Sequence, residues 1–183
     1  MIEIPDPLHP AVVHFPIVLI VLGTLLSVLT ILTRRGALPQ FAAVILILAA
    51  GSAQLAVMTG GDQADDVIQR MPDAKALIRV HAEWGERTRL VAVIAACSAV
   101  VALAFYRFVR ARRVFALITT VIAAGACYCA FEAAEHGGAM VYHHGVGVKV
   151  APNAPGAAAG STPPASESPS PKAAPTTSAA PGG

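Results

Sequence analysis

A chain of 183 residues that is 55% hydrophobic and 13% charged, with mean hydropathy +0.63, carries far more apolar bulk than a water-soluble domain of this size needs for its core. Its net charge of +2 comes from a few arginines beside the ends of apolar runs, without a basic reader motif, and this excludes nucleic acid as a partner. Cys97, Cys127 and Cys129 each fall inside an apolar run; three buried cysteines make no disulfide framework and read as small packing residues.

In chain order, four windows lack Asp, Glu, Lys and Arg: residues 7–33, 36–61, 90–106 and 114–131. A crossing of the hydrocarbon takes about 20 residues as helix, so the first two pass easily and the last two reach the headgroups by extending through Arg89, Arg107 and Arg113, whose long stems snorkel. The runs are continuous rather than alternating, which excludes a barrel. The fold expected is all-α: an integral membrane four-helix bundle over residues 1–149, with spans at about 11–33, 38–60, 88–108 and 114–135. The leader MIEIPDPLHP has no basic n-region and the following run is too long for an h-region, so the first run is expected to stay as a span.

The first short connection holds Arg34 and Arg35, the third holds Arg107, Arg110, Arg112 and Arg113, and neither holds an acid. Both are expected in the cytoplasm, with both termini outside a bacterial inner (cytoplasmic) membrane, although the longer second connection also carries five basic residues. That connection, residues 62–89, has helical propensity; we expect an interfacial helix starting near Asp62, a break at Pro72, and a helix from about Asp73 running into the third span, with Trp84 at the interface. Residues 151–183 contain eight Pro, four Gly, ten Ala and eight Ser or Thr, a composition that cannot bury a core; residues 150–183 are expected to be a disordered tail.

With alternating spans, all six histidines, His9, His14, His81, His136, His143 and His144, fall at the outer face. Imidazole holds haem iron and other metals through a neutral ring nitrogen, and haem in a bundle takes two imidazoles from different helices with small residues making room. His14 lies one turn into the first helix, His81 has Gly85 one turn below it, and Gly125, Cys129, Glu132 and His136 share one stripe of the fourth helix. Glu132 is placed to orient a ligand imidazole or to carry protons for a quinone-like redox partner; ending the membrane just below it would also account for it. His9 reads as an ordinary interfacial residue, and the adjacent His143 and His144 can send at most one ring to a given site. No high-specificity metal, hydrolase or phosphate-binding motif is present, and Gln54 reads as interhelical glue.

Four strings, HPAVVHFPIVL from His9, MTGGDQA from Met58, HAEWG from His81 and HGGAMVYHHGVGV from His136, resemble the bacterial membrane family called domain of unknown function 2231, over roughly residues 7–149. The resemblance implies a four-span bundle of no settled activity, with some relatives joined to electron-transfer modules such as Rieske or cytochrome domains. By position it points to His14, His81, His136 and His144. The expectations are therefore a b-type haem electron-transfer subunit using two or more of these four, with Gly85, Gly125 and Glu132 in support; a Cu- or Zn-binding protein using the same residues; or a non-catalytic anchoring subunit. No turnover by the chain alone is expected.

Overall fold

The computed structural model describes residues 8–33, 37–105 and 107–148, so the expected C-terminal tail lies outside the described residues. It contains α1 (His9–Val12), α2 (His14–Leu32), α3 (Leu38–Arg70), a 3-10 turn (Pro72–Ala74), α4 (Lys75–Ala104) and α5 (Val109–His144). Four helical stretches, with α1 and α2 counted as one, are long and apolar enough to cross a membrane. The long helices form a closed ring in which α2 meets α3 and α5, and α4 meets α3 and α5.

Proline sets several boundaries. Pro16 has no N–H to offer the carbonyl of Val12, so one ladder bond is missing, but Val13 keeps helical angles (φ −61°, ψ −22°) and its amide bonds the His9 carbonyl at 3.1 Å, so α1 runs on into α2 and lies against α3. Pro39 occupies the first turn of α3, where a missing donor costs nothing. Met71, pushed out of the helical region by the proline that follows, ends α3 at φ −136° and ψ 75°. At the far end, Gly145 adopts φ 63°, and the amide of Val146 returns to the carbonyl of Met140 at 3.0 Å, closing α5.

Alanine makes the interior of the bundle. Ala43, Ala49, Ala92, Ala95, Ala123 and Ala126 are buried around Ile20 and Leu46. Lipid tails are as apolar as leucine, so membrane helices gain little from hiding large apolar side chains from them; close backbone approach, which small residues permit, supplies the packing instead. The large side chains point outward, among them Leu25, Leu29, Val44, Leu48, Leu117 and Val121. Gly23 is a second device of this kind, since a Cβ there would lie 2.6 Å from Leu46 Cδ2. Polar groups at depth are satisfied: Ser27 donates to the Gly23 carbonyl at 2.9 Å, and Ser98 donates to Thr119 Oγ1 at 3.0 Å between α4 and α5.

The second connection departs from expectation in one respect. No separate helix begins at Asp62; α3 runs unbroken through Gly60 and Gly61 to Arg70. Each glycine weakens a helix by about 1 kcal/mol relative to alanine. Here the loss is offset by packing, because α1 lies against this part of α3 and the turn that follows buries Ala74. The break at Pro72 and the helix entering the third span are as expected. All three of α3, α4 and α5 thus outrun the apolar windows at the same end, by nine residues or more in each case. At ~1.5 Å per residue that is ~13 Å or more of bundle beyond the hydrocarbon. We call this the histidine end, and the Arg107–Arg113 end the arginine end.

Candidate functional site

Imidazoles from three helices meet at the histidine end. His9, on α1, is half-buried and lies over Gly60 of α3, where a Cβ would come within 2.9 Å of its Cε1. His81, on α4, lies in the same way over Gly137 of α5, where a Cβ would come within 3.0 Å of its Cε1. The two rings stand edge to face, with centroids 6.1 Å apart and planes at 82°. Each ring therefore rests on a neighbouring helix at a position where only glycine leaves room.

Hydrogen bonds fix the tautomers. His81 Nδ1 is 2.9 Å from the carbonyl of Ala133, which can only accept, so Nδ1 carries the proton. His136 Nδ1 donates likewise to the Glu132 carbonyl at 2.8 Å. The Thr59 hydroxyl turns its hydrogen to the carbonyls of Leu55 and Ala56, at 3.0 and 3.1 Å, so its oxygen accepts from His9 Nδ1 at 3.2 Å. In neutral imidazole a proton on Nδ1 puts the lone pair on Nε2, the form in which histidine binds a metal. His81 lies two turns outside the apolar stretch of α4. Burial holds its pKa below the ordinary 6.5; its bond to Ala133 opposes this, and the nearby His136 adds to it.

Aromatic contacts extend the cluster. Trp84 packs edge-on to Tyr128 at 6.0 Å and lies at a tilt 6.5 Å from His136, with the Arg87 guanidinium 4.5 Å above its ring. Gln54 acts as interhelical glue, accepting from Arg89 Nη1 at 3.0 Å, and Arg89 also pairs with Glu86 at 2.6 Å.

Of the four histidines singled out from the sequence, the structure brings His81 and His136 to one cluster. His14 is exposed on the first turn of α2, and His144 is exposed with His143 in the last turn of α5, which is helical here rather than extended. Glu132 is half-buried one turn from Tyr128. Gly125 meets Val91 at an ordinary 3.7 Å, and nothing lies within 4 Å of a Cβ at Gly85, so no imidazole rests on either. The residues missed are His9, Gly60 and Gly137. Their signal was present in the HP, GG and HGG strings, but which ring lies over each glycine is set by packing between helices far apart in the chain. Among the described residues, no group of three or more His, Cys, Asp or Glu side chains converges on one point to hold an ion.

Residues 5–150 match the family model described as "Predicted membrane protein (DUF2231)". No curated protein and no solved structure matches the chain.

Proposed function

The chain belongs to the DUF2231 family of predicted membrane proteins, and from that premise we propose that it is a haem b-binding electron-transfer subunit, with His9 and His81 as the residues that would hold the haem. The observation that carries this reading is the pairing itself: two rings from different helices, each anchored through Nδ1 to an oxygen, with centroids 6.1 Å apart. Haem needs only two protein ligands because the porphyrin supplies the rest, whereas zinc or copper(II) on protein alone wants three or four. When bound, haem supplies one-electron transfer. The chain's own contribution is to hold both imidazoles neutral and oriented, and the Ala133 carbonyl makes His81 a better donor to iron.

The same reading sets the histidine end outside a bacterial cytoplasmic membrane and the arginine end in the cytoplasm, with both termini outside. It is supported by the density of Arg107, Arg110, Arg112 and Arg113 in one short connection. A redox partner would approach from the outer side or from within the bilayer.

The test is an absorption spectrum of the full chain purified in detergent with haem supplied. The expected result is a Soret band that shifts on reduction, disappears in His9→Ala and in His81→Ala, and survives in His144→Ala. Stoichiometric copper or zinc by mass spectrometry without a Soret band would replace haem with a simple metal site. If neither is bound, and the double His→Ala protein keeps its fold and partners, the chain is an anchoring subunit.

A further inference from the structure

The two ends of the bundle carry charge differently. At the histidine end, Arg70 pairs with Asp66 at 3.7 Å, Arg79 with Glu83 at 3.1 Å and Arg89 with Glu86 at 2.6 Å, and Arg87 lies on the Trp84 ring. At the arginine end, the connections carry Arg34, Arg35, Arg107, Arg110, Arg112 and Arg113 and no Asp or Glu. Three of these, Arg110, Arg112 and Arg113, fall in the first five residues of α5. That is where the aligned peptide dipoles place partial positive charge and where the first backbone N–H groups have no intrahelical partner. The N-cap residue, Phe108, makes no side-chain cap, and the first turn holds no acid. Cations set on the positive end of a helix of 36 residues are repelled by it, and an anion from outside the bundle would relieve both. Arg112 points the same way independently. It lies on the inward stripe of α5, four residues before buried Ala116 and seven before buried Thr119. Its Nε is buried and has no hydrogen-bond partner among the described residues, although a guanidinium turned inward ordinarily carries an acceptor with it.

We propose that the start of α5 is a site for the phosphate of an anionic phospholipid, held by Arg112 and Arg113 together with the backbone N–H groups of the first turn. Helical side chains lean toward the N-terminus of their helix, so both arginines, just inside it, reach back over that turn. Guanidinium takes phosphate through paired N–H donors, and a helix N-terminus adds further donors and the favourable end of the dipole. Depth and neighbours select a lipid over a soluble anion. The apolar windows end at residue 106 and resume at residue 114, which sets these arginines at the level of the headgroups. Phe108, between Arg107 and Arg110, is 65% exposed, Phe105 is exposed while stacked on Phe115 at 5.0 Å, and Leu117 is exposed one turn beyond Arg113. Guanidinium beside exposed aromatic and aliphatic side chains matches an amphiphile, with its phosphate at the arginines and its acyl chains along Phe108 and Leu117. Anionic heads are thereby preferred to zwitterionic ones, whose ammonium would be repelled by the same arginines. Occupancy of this site is independent of haem, which the opposite end of the bundle is proposed to hold.

The full-length protein is purified in detergent and equilibrated with an equimolar mixture of dioleoylphosphatidylglycerol and dioleoylphosphatidylcholine, and the lipids it retains are counted by native mass spectrometry. The expected result is a single phosphatidylglycerol held per chain, favoured over phosphatidylcholine about tenfold. In Arg112→Gln/Arg113→Gln the preference is expected to fall to about twofold or less, whereas Arg70→Gln/Arg79→Gln, which removes the same charge from the histidine end, leaves it unchanged. Arg113→Glu alone is expected to abolish the preference, and with every variant checked for native helicity this single substitution carries the test if the double one does not fold. Equal retention of the two lipids, or a preference that falls alike in both double variants, overturns the proposal, because net charge alone would then account for the binding. Displacement of the lipid by millimolar inorganic phosphate at constant ionic strength overturns the choice of a lipid and assigns the site to a soluble phosphate.

Discussion

The middle of the bundle and its histidine end are built from the same helices by opposite means. In the middle, α3, α4 and α5 approach on alanine, and the contact surfaces are almost featureless. At the histidine end, the gaps between the same helices hold imidazole and indole rings, each tied by a hydrogen bond or stacked on another ring. The alanine section fixes the helix axes in the membrane. Because the helices continue without a break, it also fixes where the rings meet ~13 Å further out. A rigid, chemically plain section thus positions a chemically specific one.

This contrast breaks most severely if the plain section is overfilled. Ala95 is fully buried. Ala95→Leu forces α4 away from its neighbours and is expected to cost about 3 kcal/mol, at the upper end for overpacking; thermal unfolding in detergent measures it, and the cluster should loosen together with the core. Gly137→Ala should do the reverse. It presses a methyl on His81, costs about 1 kcal/mol in stability, and abolishes or shifts the haem spectrum while helicity stays native. Gly60→Ala should match it through His9.

A pH titration of the haem-free protein sharpens the comparison next. The folded pKa of His81 lies below its ordinary 6.5, so between the two values the unfolded chain binds more protons. The contribution of His81 to stability is therefore fully present above pH 6.5, falls as pH drops from 6.5 through the folded value, and is level below that. The slope should not exceed about 1.4 kcal/mol per pH unit for this one group, and His81→Phe should remove it. Chemical unfolding across a pH series reads this directly.

Ser98→Ala in the middle removes one bond to buried Thr119 and is expected to cost about 0.6 kcal/mol. The smallest effect belongs to the partly exposed Arg89–Glu86 pair: Glu86→Gln should change stability by less than about 0.5 kcal/mol, with that little lost in high salt.

The four crossings were legible because a bilayer demands long uncharged runs and this chain has four of them. The cluster was legible only in part. His81 and His136 could be picked out as imidazoles beyond the ends of spans, but nothing in their spacing distinguished them from His14, which faces outward on α2. His9 was passed over because a histidine in a leader has no fixed neighbours until α1 packs on α3. The glycines singled out as making room, Gly85 and Gly125, were chosen from stripes on single helices; Gly60 and Gly137 matter because of what a second helix lays against them.

The amino-acid order by itself determined the solvent, the number of crossings and the end at which the histidines gather, because each follows from local runs of apolar and charged residues. Tertiary structure alone decided which imidazoles face one another and which nitrogen of His81 and His136 keeps its proton. Those depend on the rotation of each helix about its axis, and that rotation is set by alanine and glycine contacts between residues far apart in the chain.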